Sequence, residues 1–477
     1  MLFNSIAFLY FFLVVTIVYY LLPFRFRWFH LLLASCYFYM QFVPIYILIL
    51  FGTIVIDYYA GILIERSEDN ERRQNLILTV SVIINIAILA VFKYYNFFIE
   101  NINRAGANLP FLEILLPIGL SFHTFQALAY LFEVHRGNQK AERHFGIYSL
   151  YVMFYPQLVA GPIERPQHVL PQLKINHHFN WENVTAGLRL MLWGLFKKVV
   201  VADRLSGYVD IVYGNPTEYA HFLNVLIAFI FFSFQVYCDF SGYSDMALGS
   251  AKVLGVDLMV NFNRPFSSKS ISEFWRRWHI SLSAWFNEYL FTPLAATWRY
   301  WGRWGIVLAV FITFSLSGLW HGAAWTFVAF GMVHGIGLIY EILTKNTRAR
   351  VLGSLPKFVV APLCIFLTYA FVVISVVFFR ANSIGEAFLM LKYFFTFNQS
   401  RPFAPVVRNQ SLEFGITSFL LSFAGMAFTL LFERFTSPRM VELNNRKWAD
   451  VALSSLILTL IIAFGVFQKS SFIYFQF

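Results

Sequence analysis

Apolar positions along this chain gather into runs, and the polar ones are confined to the intervals between them. The runs lie near 3–22, 29–42, 44–63, 75–98, 110–132, 145–160, 184–201, 222–238, 304–320, 323–343, 358–379, 415–432 and 450–468. A helix needs roughly 20 apolar residues to cross the hydrocarbon core of a bilayer, and some runs are too short or too polar to do so alone; the pattern predicts about eleven spans. Each must be helical, because peptide groups left unpaired in lipid cost several kcal/mol. The first run lacks a basic leader and a small-residue cleavage site, so it reads as a transmembrane helix rather than a removed signal. No internal repeat divides the chain, and a single polytopic domain over residues 1–477 is the expectation.

The intervals carry the topological signal. Arg66, Arg72 and Arg73 lie in 64–74, Lys345, Arg348, Arg350 and Lys357 in 344–357, and Arg434, Arg439, Arg446 and Lys447 in 434–447. Basic loops of this kind stay in the cytoplasm. The long interval 380–414 is poor in basic residues for its length and is expected on the other side.

One interval is exceptional. Residues 261–305 hold Arg264, Lys269, Arg276, Arg277, Arg299 and Arg303 beside Trp275, Trp278, Trp285, Trp298, Trp301 and Trp304. Ser270 and Glu273 have the spacing of a capping box, so a helix is predicted to begin there. Continued as a helix, it places Trp275, His279, Leu282 and Phe286 on one face and allows Glu273 to pair with Arg277 on another. The segment is too charged to span freely, and lying in the interface or re-entering the protein is the expectation.

Composition strengthens the membrane reading and excludes others. Hydrophobic residues make up 58% of the chain and charged ones 13%, half the roughly 25% charge of a soluble domain. The net charge of +11 would suggest nucleic acid in a soluble protein. Here the cations sit between apolar runs, where they fit topology and anionic lipid, so no nucleic-acid partner is expected. Cys36, Cys238 and Cys364 lie within apolar stretches without metal or disulfide spacing, and read as small buried hydrophobes. Aromatic content of 20% suits interfacial belts and bulky packing around a cavity.

Few residues are then left for chemistry. His321 closes an apolar run in Ser315-Leu-Ser-Gly-Leu-Trp-His-Gly-Ala-Ala-Trp325. An ionisable residue at that depth is expensive and faces a bundle interior or a watery cavity, as a catalytic group or as a hydrogen-bonded packing residue. His279 sits on the apolar face of the tryptophan-rich segment, with the same two readings. In Gln235-Val-Tyr-Cys-Asp239-Phe-Ser241-Gly-Tyr243-Ser-Asp245 two carboxylates and several hydroxyls follow an apolar helix. They suit a tunnel lining or, more simply, helix-end capping and a buried hydrogen-bond network. His123 and His334, in apolar context, read first as packed histidines. No HExxH, Cys/His ligand spacing, glycine-rich phosphate loop or GxSxG elbow is present, and no metal site is expected.

Taken in order, the motifs resemble those of the membrane-bound O-acyltransferases, in the bacterial branch of alginate O-acetylation proteins. The matching pieces are Leu158-Val-Ala-Gly-Pro-Ile-Glu-Arg-Pro166, Tyr237-Cys-Asp-Phe-Ser-Gly-Tyr-Ser-Asp245, Asn261-Phe-Asn-Arg-Pro-Phe266, Phe274-Trp-Arg-Arg-Trp-His-Ile-Ser-Leu-Ser283, Gly318-Leu-Trp-His-Gly322, Val377-Phe-Phe-Arg-Ala381 and Phe472-Ile-Tyr-Phe-Gln-Phe477. Together they cover the chain from end to end. His123, in Pro117-Ile-Gly-Leu-Ser-Phe-His-Thr-Phe-Gln126, stands where the resemblance leads one to expect an aromatic.

The resemblance implies an all-α integral membrane fold, a multi-span helical bundle with re-entrant or interfacial helices around a central tunnel. It implies acyl transfer to a hydroxyl, with His321 and His279 as the catalytic pair, His279 near the mouth or wall of the same tunnel. Trp320, Asp239, Tyr243, Asp245 and Asn263, within the matching motifs, become the candidate substrate-binding residues. The implied donor is a cytoplasmic thioester, acetyl-CoA or another acyl thioester, with no bound cofactor. The implied acceptor is an exported polysaccharide, reached with a periplasmic SGNH-type acetyltransferase and other polysaccharide-modification proteins at a bacterial inner membrane. A transporter or flippase of a lipid-linked or acyl-bearing substrate is the alternative on span number alone, although no repeat supports it. A scaffold for a glycan-modifying complex is the third reading.

Overall fold

The structure is a computed structural model that describes residues 1–113, 116–404, 407–408, 413–436, 447–467 and 472–473. Arg439, Arg446 and Tyr474 to Phe477 lie outside the described residues. The chain is helical nearly throughout; among the described residues the only strands are Val407–Arg408 and Glu413–Phe414, paired antiparallel.

Among the described residues, seven helices are long and apolar enough to cross a membrane: Pro44–Glu65, Glu71–Arg104, Phe222–Val253, Arg303–His321, Trp325–Leu343, Lys357–Arg380 and Ile416–Phe435. Ile6–Leu21 and Trp448–Phe464 are apolar but shorter. Over 116–173 the chain instead forms shorter helices, broken at Gly119 and at Phe154, whereas the helix Trp181–Phe196 continues through the π-helical Lys197–Ala202 into Asp203–Gly214. Breaks of this sort are tolerated at membrane depth only where other protein covers the backbone. Cys238 is buried, Cys36 and Cys364 are half-buried, and all three are free thiols.

The chain packs as two compact units, Met1–Met191 with Tyr243–Val260, and Leu192–Gly242 with Asn261–Phe477. In the first, aromatic packing dominates: Tyr155 meets Phe11 at 5.3 Å and Phe38 at 5.8 Å. Buried polar groups cross between helices there, with the Asn85 amide donating to Asp57 at 2.8 Å and His123 Nε2 at 2.7 Å from Thr53 Oγ1. Glu164 of the Leu158–Pro166 motif is fully buried, accepts the Met259 N–H and contacts His168 Nδ1 at 2.8 Å. That motif acts as a clamp on the chain near residue 259.

The second unit is built around the Arg303–His321 and Trp325–Leu343 pair. Gly318 and Gly331 meet at their crossing, where a Cβ on Gly318 would run into the Phe327 carbonyl and one on Gly331 into the Phe314 carbonyl. Small residues let helix backbones approach this closely. From the second helix, Glu341 reaches the N-terminus of the Ile271–Arg277 helix and accepts the Ile271 and Ser272 N–H groups at 2.8 and 3.1 Å. A carboxylate on those orphan donors is favourable both as a cap and against the helix dipole.

Candidate functional site

The tryptophan-rich segment starts as its sequence predicts. Ser270 Oγ accepts the Glu273 N–H at 3.0 Å, while the Glu273 carboxylate takes the Lys269 N–H at 2.8 Å and pairs with Arg277 at 2.7 Å. The expected continuous face does not form. The helix stops at Arg277, Trp278 is extended, and a second helix begins at Ile280. The cause is non-local: the Asn261 carbonyl takes the Ile280 N–H at 2.9 Å, and the Asn263 N–H goes to the Arg277 carbonyl at 2.9 Å. Ser281 Oγ donates to Asn261 Oδ1 at 2.6 Å and secures the junction. The residue at the break is His279, with φ 42° and ψ 55°. A non-glycine residue held left-handed costs about 1–3 kcal/mol and persists where its surroundings enforce it.

The His279 ring is 0% exposed. It stands edge-on to Phe240 at 4.6 Å and lies 6.0 Å from the Trp320 ring. Burial, and secondarily the nearness of His321, hold its pKa well below the ordinary 6.5. Trp320 also meets His321 edge-on at 5.2 Å, so both histidines share one tryptophan. His321 is the last residue of its helix, because Gly322 turns to extended backbone. Its Nδ1 lies 2.7 Å from the Ser317 carbonyl oxygen. A carbonyl only accepts, so Nδ1 carries the hydrogen and the lone pair of the neutral ring sits on Nε2. Phe330 and Phe379 flank the ring at 6.0 and 5.6 Å.

Ser317 also lines a cavity of about 860 Å³, whose other walls come from Trp275, Ile280, Leu282, Phe286 and Phe314. Arg276, Lys345 and Arg348 also line the cavity, with Glu341 as the one acidic group among its described residues, 3.9 Å from Arg348. Its size is that of a small-molecule site, about 300–1,000 Å³.

The other candidates fall in different places. Asp239 is buried, with one oxygen 2.7 Å from Lys198 Nζ and the other accepting the Ile473 N–H at 2.7 Å. Lys198 also pairs with Asp203 at 2.8 Å. The sequence analysis does not single out this lysine, which lies inside the apolar run 184–201, and no local pattern marks its partners. Asn263 exposes its side chain and contributes its backbone. Tyr243 and Asp245 belong to the first unit, where Tyr243 packs edge-on against Phe3 at 4.7 Å. His334 is fully buried; its Nδ1 accepts from the Trp275 indole at 3.2 Å, and its Nε2 lies 2.8 Å from Ser375 Oγ.

The sequence is similar to those of a known family and its members. The model of the membrane-bound O-acyltransferase family matches residues 43–381. The peptidoglycan O-acetyltransferase of Helicobacter pylori is 35% identical over 393 residues, covering 76% of this chain and 72% of that protein. The probable alginate O-acetylase AlgI of Pseudomonas aeruginosa is 36% identical over 410 residues, covering 83% and 75%. Its Pseudomonas putida counterpart is 32% identical over 500 residues, covering all of both chains.

Proposed function

The chain belongs to the membrane-bound O-acyltransferase family, and from that premise we propose how it O-acetylates a polysaccharide: His321 is the general base, and a thioester, acetyl-CoA or a related acyl thioester, is the donor. The protein is a multi-pass membrane enzyme, and its reaction is transfer of an acetyl group to a glycan hydroxyl.

The observation that carries the catalytic assignment is the 2.7 Å contact of His321 Nδ1 with the Ser317 carbonyl. It fixes the tautomer and leaves the basic lone pair on Nε2, the nitrogen farthest from the backbone. As an acceptor hydroxyl attacks the thioester carbonyl, Nε2 takes its proton. When the tetrahedral intermediate collapses, the C–S bond breaks and the imidazolium returns the proton to the leaving thiolate. Base assistance of this kind is worth about 10²–10⁴-fold. His279, kept neutral by burial and by its neighbour, supplies polarity beside the base without a competing positive charge.

The cavity supports the donor reading. Its aromatic and aliphatic walls suit a thioester arm, while Arg276, Lys345 and Arg348 suit an anionic carrier. Lys345 and Arg348 belong to one of the basic loops, consistent with a cytoplasmic donor. The membrane is taken as the bacterial inner membrane, with lipid against exposed apolar residues such as Leu9, Phe366 and Leu431. The acceptor lies beyond it, and an SGNH-type acetyltransferase completes delivery to the polysaccharide. Membranes containing the protein should release free thiol from acetyl-CoA and pass labelled acetyl onward. Membranes with abundant protein that leave acetyl-CoA intact, while cells still O-acetylate their glycan, would remove acetyl-CoA as donor.

A further inference from the structure

The matching motif at 472–477 has no role in the mechanism above, yet its first two residues are tied to the site. Asp239 holds the backbone at Ile473 through its N–H at 2.7 Å, and Asp239 is itself fixed by Lys198 at 2.7 Å. A hydrogen bond to an ionised acceptor is shorter and about twice as strong as a neutral one. The carboxylate here has both oxygens engaged, which is the arrangement of a clamp. Upstream, the Val466 N–H donates to the Val199 carbonyl at 2.8 Å, beside Lys198 on the same π-helical turn.

What the clamp positions is Phe472. Its ring is buried and lies 5.8 Å from that of Phe240, the residue after Asp239. Phe240 in turn stands 4.6 Å from His279, at an interplanar angle of 88°. His279 occupies a left-handed conformation that its neighbours must enforce, and Phe240 is one wall of its enclosure.

We propose that Phe472 and Ile473 are positioning residues of the acyl-transfer site: Asp239 clamps the chain at Ile473, this packs Phe472 against Phe240, and the pair of rings holds the His279 ring and seals the space behind it. The effect on catalysis rests on the reading of His321 and His279 given above; the sealing of His279 does not. The assignment also gives Asp239 a role outside substrate contact.

The test uses the full-length protein in membranes. Ile473→Pro removes the N–H, Phe472→Ala removes the ring but keeps the backbone bond, and Ile473→Val preserves both. Carbethoxylation of His279 by diethyl pyrocarbonate, read on its peptide by mass spectrometry, measures the seal without any donor. His168, with 41% of its side chain exposed, is the internal reference. Acetyl-CoA supplies the second readout, as thiol released against acetyl transferred. In the first two variants at wild-type abundance, His279 labelling should rise severalfold. Transfer should fall by up to about 10²-fold, the cost of misplacing a reacting group by an ångström, while thiol release persists as hydrolysis. Ile473→Val should match wild type in both. If Ile473→Pro does not accumulate, Phe472→Ala decides. His279 remaining as protected as in wild type in Phe472→Ala would overturn the proposal, whether or not abundance falls. Wild-type membranes that release no thiol from acetyl-CoA would count against the donor reading alone.

Discussion

Each of the two units buries a histidine at a polar point among apolar helices, and the two are built in opposite ways. In the first unit His123 lies inside the unbroken Leu120–His135 helix. Thr53 Oγ1 already donates to the Leu50 carbonyl at 2.8 Å, so toward His123 it accepts, and the Nε2 hydrogen is committed to it at 2.7 Å. In the second unit His321 ends its helix, and the committed hydrogen is on Nδ1, turned back to the Ser317 carbonyl. The first arrangement uses up the outer nitrogen as a donor, whereas the second gives it the basic lone pair. On the role proposed for His321, burial alone does not separate the two histidines; which nitrogen the protein ties down does. His334 follows the first pattern within the second unit, since Ser375 Oγ donates to the Val372 carbonyl and must accept from Nε2.

The sharpest way to break this contrast is to remove the two kinds of histidine and compare activity per folded molecule. His321→Ala should lower acetyl transfer by about 10²–10⁴-fold, the range for losing a general base, at unchanged abundance. Normal glycan O-acetylation in cells expressing this variant at wild-type level would place the base elsewhere.

The next effects are on stability. His334→Ala leaves the Trp275 indole N–H without its acceptor in a buried setting, which costs about 1–3 kcal/mol, with a cavity cost added. Thermal unfolding in detergent should fall clearly, while the folded fraction keeps activity of the wild-type order. His123→Phe should do less: it gives up one neutral hydrogen bond, about 0.5–1.5 kcal/mol, and fills the space with a ring. Should His123→Phe abolish transfer in stable protein, the distinction between the two units would collapse.

This division was only partly legible in the sequence. Apolar runs announced the long helices, and Ser270 with Glu273 announced a helix start that the structure keeps to within a residue. Both signals are local, carried by side-chain spacing along one element. The break at His279 is not: it depends on residues 261–263 pairing with the chain at 277–280, and an amphipathic pattern runs straight through it. Lys198 was hidden for the same reason, since its partners Asp203 and Asp239 complete a triad only after folding. His321 and His334 read alike as ionisable residues in apolar helices. Their difference lies in a carbonyl four residues back for one and in side chains from two other helices for the other.

The smallest expected effect concerns His279, which resembles neither case, being held by aromatic walls at a helix break. Burial and His321 keep its folded-state pKa well below 6.5, whereas an unfolded chain would protonate it near that value. The sign follows: above pH 6.5 the ring is neutral in both states and contributes no slope. Below 6.5 the unfolded state binds the extra proton, so stability falls with pH until the folded pKa is passed. Unfolding temperatures in detergent at pH 7.5 and 5.5 should therefore differ more for wild type than for His279→Gln, which cannot titrate. Equal differences in the two proteins would mean that His279 is solvated and protonates freely, and the enclosure by Phe240 and Trp320 would then not be what holds it. A larger difference in wild type would tie the same aromatic walls to stability and to a neutral imidazole beside the proposed base.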